Sequence, residues 1–225
     1  LRAAAQSQES HVMMIGIGLG LSSAASMARA AEPFSTWDAT DAATYWTRSN
    51  SDKTVVMTDA GASWRLVRGT TGRASGKYYC ELVALDTVAG AATWIFGLAS
   101  AAANRATFIG NSASGVGMRA AGNFLNNFTS GTGAIQTSSA TTAGGVYGFA
   151  VDADAGKFWY AEANIWQNGG NPVAGTLPAY TYTPGTVGAV YPALSMSATG
   201  LSRWTLRTKA SEFSYSPPSG FSAWG

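Results

Sequence analysis

From about residue 32 onward, no part of this sequence runs far without a break at Gly, Asn, Asp, Ser or Pro. The runs between breaks are short and rich in aromatic and β-branched residues. Such punctuation opposes long helices, since an interior glycine costs about 1 kcal/mol and a proline about 3 kcal/mol. It suits short strands joined by tight turns, and the predicted strands are 62–67, 76–85, 92–98, 115–118, 145–152, 157–163, 191–196 and 203–207. Trp64 and Leu66, then Tyr79, Glu81 and Val83, alternate as half-buried strands do. The expected fold is an all-β sandwich or barrel.

The 225 residues suffice for one large sandwich domain, and eight Trp, nine Tyr and nine Phe provide its core. Charged residues are only 12% of the chain, which suits a surface of neutral polar groups. The net charge is +2, and no Lys/Arg run marks a nucleic-acid footprint, so no nucleic-acid partner is expected. The single cysteine, Cys80, reads as a small buried hydrophobe on a strand, and it rules out an intrachain disulfide. The single histidine, His11, precedes the predicted strands, which argues against Cys-His or Ser-His-Asp catalysis and against a histidine metal site.

The first 33 residues differ from the rest. Residues 12–28 carry no charge, and Met13, Met14, Ile15, Ile17, Leu19 and Leu21 make an apolar run interrupted by glycines. With Ala28-Arg29-Ala30 behind it, this stretch is similar to a secretory signal, and its length is near the short limit for a membrane span. The reading favoured is an extended or helical anchoring arm (residues 1–33) that packs against another chain, with no membrane partner, because small residues allow close backbone approach and exposure of the run to water is unfavourable.

Asp152-Ala153-Asp154-Ala155-Gly156 reads as a hairpin turn between strands entering through Phe149 and leaving through Phe158. Asp152 and Asp154 also resemble the start of a calcium loop, but an EF-hand would need a Glu where Ala163 stands. They are the only tight acidic pair, without the partner carboxylates that glycoside cleavage needs. No catalytic residue, metal or cofactor is therefore expected. Trp37, Trp46, Trp159, Trp166 and Trp224 are candidates for sugar stacking, against the commoner role of filling a core, whereas Trp64, Trp94 and Trp204 are assigned to it. Trp166, with Asn168 and Asn171 in Gln167-Asn168-Gly169-Gly170-Asn171, is the preferred binding candidate, and Asp152 and Asp154 accompany it.

Several segments, in order, resemble SPRY-like domains of bacteriophage and prophage proteins. Residues 75–82 (SGKYYCEL) are similar to the family's "SGKWYFEV" strand, and 94–99 (WIFGLA) to its "GIGLA" strand. Residues 145–160 (GVYGFAVDADAGKFWY) resemble the central hairpin, 165–172 (IWQNGGNP) the phage-type "VWQNGGNP", 191–195 (YPALS) "YPAVS", and 213–221 (FSYSPPSGF) "FAYTPPAGF". The family's Lys-Asn-Gly hairpin tip is replaced by Glu162-Ala163-Asn164, which puts in doubt any contact relatives make there. The resemblance covers about 34–225 and implies a two-sheet antiparallel, concanavalin-like jelly roll. It implies a non-catalytic virion protein (decoration, head-fibre or tail-fibre component) in an extracellular particle, with other capsid or tail proteins as partners. Self-association, with a trimer as one form, and recognition of a host-surface glycan or protein are further expectations.

Overall fold

The computed structural model describes residues 33–42, 45–58, 63–87, 94–119, 124–126, 142–197 and 202–225. The apolar run from Met13 to Leu21, His11 and most of the low-complexity stretch 129–145 lie outside the described residues. The strands are β1 Trp46–Ser49, β2 Thr54–Met57, β3 Arg65–Arg68, β4 Lys77–Ala84, β5 Trp94–Ser100, β6 Gly115–Arg119, β7 Phe124–Asn126, β8 Val146–Asp152, β9 Lys157–Glu162, β10 Ile165–Trp166, β11 Tyr180–Thr181, β12 Val190–Met196, β13 Arg203–Arg207 and β14 Ser222–Ala223. One short helix, α1 Ala39–Ala42, precedes them, and 3-10 turns occupy Gln167–Gly169 and Ala210–Glu212. Each of the eight predicted strands is present, with ends shifted by up to three residues.

They form two sheets. The larger runs β1-β2-β13-β4-β8-β9-β10, with β11 also on β9 and β14 parallel to β4; the smaller runs β3-β12-β5-β6-β7. Every other pairing is antiparallel, as in β4 on β8 (Cys80 opposite Phe149) and β12 on β5 (Leu194 opposite Phe96). Alternate residues meet between the sheets: Cys80, Leu82, Tyr147, Phe149, Phe158, Tyr160, Trp204 and Leu206 from one, Val67, Trp94, Phe96, Leu98, Val116, Leu194 and Met196 from the other. Trp94 lies 5.0 Å from Trp204 and Phe96 3.9 Å from Phe149, centroid to centroid, so the two layers are joined ring against ring. At about 25 cal/mol per Å² of apolar surface, each buried ring contributes roughly 4–6 kcal/mol before entropy is counted.

The outer faces are covered as well. On the smaller sheet, Ile109 from the 101–114 connection packs with Leu66, Ile95 and Ala193, and its N–H donates to Ser195 Oγ (3.0 Å). On the larger sheet the C-terminal segment crosses β4, with Phe213 5.0 Å from Tyr79 and Phe221 6.2 Å from Trp159. Tyr79, Glu81 and Val83 are therefore buried rather than half-buried, so β4 is enclosed on both faces. Glu81 holds this cover in place. Its carboxylate accepts the N–H groups of Ser214 (2.8 Å) and Tyr215 (2.9 Å) and the Tyr79 hydroxyl (3.1 Å).

Asp38 caps α1 by accepting the N–H groups of Thr40 and Asp41. Asp41 in turn takes Arg68 Nε (2.6 Å) and Nη2 (3.0 Å) as well as Arg105, which ties α1 to β3 and to the loop after β5.

Candidate functional site

The sequence candidates separate once folded. Trp37, Trp159 and Trp224 are buried in full and Trp46 nearly so, which removes them as stacking platforms and gives them the commoner role of filling the core. Trp64, assigned to the core, is half-buried on the outside of the smaller sheet, edge-on to Phe108 at 5.6 Å, while Trp94 and Trp204 are core residues. Trp166 is half-buried, with its ring 6.4 Å from Tyr79 in the cluster that includes Trp159 and Phe221. Asn168 is exposed in a left-handed conformation (φ 58°), and Asn171 accepts the Ala174 N–H (3.0 Å) to close the next turn. The loop they share is braced by Trp159 Nε1, which donates to Thr176 O (2.9 Å).

Asp152 is buried at the hairpin, where it accepts the Ala155 N–H (2.9 Å) and pairs with Lys77 (3.1 Å). Gly156 has φ +62°, and a Cβ there would stand 1.9 Å from Tyr182 O, so the turn requires glycine. Asp154 is exposed beside it. The pair shapes a turn, and among the described residues no cluster of three or more His, Cys, Asp or Glu could hold a metal ion.

A pronounced concavity lies elsewhere, on the outer face of the larger sheet over β2 and β13. Its volume is about 510 Å³, and Ser49, Asn50, Lys53, Thr54, Leu85, Arg203, Thr205, Arg207 and Glu212 line it. The alternation of β13 builds its floor: Trp204 and Leu206 point into the core, leaving Arg203, Thr205 and Arg207 on the other face. Antiparallel pairing sets Thr205 opposite Thr54, their hydroxyls 2.7 Å apart. The β1–β2 turn forms one wall, with Asn50, Ser51 and Asp52 in succession at positive φ (53°, 52° and 63°). The Asp52 carbonyl of this turn is fixed by the Trp37 N–H (2.9 Å).

Each cation of the groove is held by a carboxylate. Arg203 donates through Nε (3.0 Å) and Nη2 (2.7 Å) to Asp86, which also accepts its backbone N–H (2.7 Å). Hydrogen bonding from Arg203 holds the Asp86 carboxyl below the usual carboxylate range. Lys53 Nζ donates to Glu212 Oε1 (2.9 Å), whereas the buried Glu212 Oε2 has no partner among the described residues. Arg207 donates to Ser214 Oγ (2.6 Å) and stands 3.5 Å from Glu81. The result is a charge-balanced surface with spare N–H donors.

Burial pushes the Cys80 thiol and the Tyr79, Tyr147 and Tyr160 hydroxyls well above their ordinary values, and Tyr182 up to about 12. The groove residues escaped the sequence reading because they come from four separated segments. The one local signal was Arg203-Trp204-Thr205-Leu206-Arg207, whose polar positions at every second residue mark an exposed strand face.

No protein-family model and no curated protein matches this chain. Among solved structures it is similar to the SPRY domain of human HERC1, with a TM-score of 0.54 at 14% identity, over 76% of this chain and 94% of that one. At that identity the likeness shows the fold alone. By fold, then, this chain carries a SPRY-like, two-sheet antiparallel β-sandwich.

Proposed function

We propose that this chain is a non-catalytic structural protein of a bacteriophage particle, a decoration, head-fibre or tail-fibre component. In this reading the arm of residues 1–33 attaches it to capsid or tail proteins, and the sandwich is displayed outward as a homo-oligomer. The phage setting rests on the ordered segment resemblances, above all 145–160 and 165–172. A second reading, recognition of a host-surface glycan or protein, is favoured by one observation: the groove over β2 and β13 is open, of ligand size and lined by polar and charged residues apart from Leu85. The non-catalytic reading accords with the groove's single lining carboxylate, Glu212, being engaged with Lys53.

Two measurements test these readings. Gold-labelled antibody against the chain should decorate particles released from the bacterial host; unlabelled particles would overturn the virion assignment. Fluorescent full-length protein should bind host cells saturably, and a Lys53→Ala/Arg203→Ala double variant should lose that binding while keeping its melting profile. Labelled particles without saturable cell binding would leave the structural reading and remove the recognition one.

A further inference from the structure

We infer that the groove over β2 and β13 is a binding site for a neutral saccharide, an inference that rests on the recognition reading above. The argument starts from charge. Arg203, Arg207 and Lys53 would make an anion site if they were free, but each already faces a carboxylate: Asp86, Glu81 and Glu212. A phosphate or carboxylate ligand would gain little net attraction from cations already paired, and would meet the Glu212 carboxylate of the lining. An uncharged ligand bearing many hydroxyls escapes that conflict, because a hydroxyl both donates and accepts. Arg203 and Arg207 retain N–H groups beyond those they give to Asp86 and Ser214. Glu212 lines the groove, and its Oε2 is buried without a hydrogen-bond partner among the described residues. The Thr54–Thr205 hydroxyl pair supplies further polar contact at the floor.

Size and shape agree. About 510 Å³ lies within the ordinary range of small-ligand sites, and the single apolar wall is Leu85. A peptide anchored by a large apolar side chain finds no second apolar surface in the lining. The polar wall is also preset, since the left-handed turn at Asn50–Asp52 and the Arg203–Asp86 pair hold their geometry without a ligand.

The test uses the full-length chain and a panel of neutral hexose and deoxyhexose oligosaccharides, with free monosaccharides, inorganic phosphate and an acidic peptide as competing probes. At least one neutral oligosaccharide should bind, and raising the salt from 0.1 to 1 M should change its affinity by less than about twofold, as screening predicts for an uncharged ligand. Arg203→Ala and Glu212→Ala should each weaken it by about tenfold or more. Val173→Ser, on an exposed residue outside the groove, should leave it unchanged. Binding of monosaccharide alone would assign the site to free sugar rather than to a surface polymer, with the same chemistry. Binding of phosphate or acidic peptide in place of sugar overturns the inference, as does sugar binding insensitive to both groove variants. If no probe binds but host-cell binding still depends on Arg203 and is abolished by protease treatment of the cells, the saccharide is wrong and the recognition reading stands. If host-cell binding is also indifferent to Arg203, both fall.

Discussion

A buried carboxylate is costly unless its oxygens are filled, and Glu81, with no solvent-exposed surface, is filled from three directions. Two backbone N–H groups of the C-terminal segment, the Tyr79 hydroxyl and the Arg207 guanidinium converge on it. Glu81→Gln puts an amide NH2 where those donors point and should cost roughly 3 kcal/mol in urea unfolding. Hydrogen exchange should speed up at Ser214 and Tyr215 before it does in β5. If the two amides stay as protected as in the parent, Glu81 is not what holds the cover. Asp41 makes a second test, with a pH sign. Burial opposes its charge, but hydrogen bonds from Arg68 and Arg105 outweigh that and hold its carboxyl below 3.8. A depressed folded value means that the stabilisation is complete above the unfolded value, near 3.8, and fades as pH falls through the lower folded one. Asp41→Asn should therefore cost about 3–5 kcal/mol at pH 7, and the gap from the parent should narrow in urea titrations repeated toward pH 2. A gap that is constant with pH would mean that the pair contributes through packing alone.

At the scale of elements, the strand ladder was legible where alternation or apolar runs are long, as in 76–85, 145–152 and 157–163. β1, β2 and the two-residue strands β10, β11 and β14 were not, because so few residues carry no periodicity of their own and pairing with a neighbour decides them. The hairpin between β9 and β10 shows the same tertiary control. Ala163 and Asn164 both adopt positive φ (48° and 66°), the arrangement of a two-residue primed turn, although alanine resists that conformation. Glu162 and Ile165 are paired across it, and the Ala163 N–H donates to Val146 O (2.9 Å), so the neighbouring strands impose the turn. Ala163→Asn keeps the N–H, tolerates the left-handed backbone and adds no freedom to the unfolded chain. It should stabilise the fold by about 0.5–1 kcal/mol in chemical denaturation. A neutral or negative result would show that Ala163 fits its place better than its backbone angle implies.

At the scale of the whole molecule, the same logic separates what the sequence reveals from what it hides. The aromatic core was readable because most of its rings sit in strand runs legible by themselves, such as β5, β8 and β9, whereas the groove is assembled from the β1–β2 hairpin, Leu85, β13 and a 3-10 segment that only the closed sandwich brings together. Trp166 drew attention as a loop aromatic, and its ring packs half-buried against the Tyr79, Trp159 and Phe221 cluster. The compact unit spans Glu32–Gly225, and its first described residues are part of its packing: Ser35 is fully buried, its N–H donates to Thr208 Oγ1 (2.8 Å), and that hydroxyl donates back to the Ser35 carbonyl (3.0 Å). A chain lacking residues 1–31 should therefore melt cooperatively and, if the apolar run 12–28 is the association element, behave as a monomer in light scattering while the full chain forms a larger species. Identical monomers would remove residues 1–31 as a self-association device and leave a heterologous capsid or tail protein as the partner to seek. Identical oligomers would place the contact on the sandwich itself, where the exposed Ile165, Val173 and Leu177 would be the first positions to change to serine.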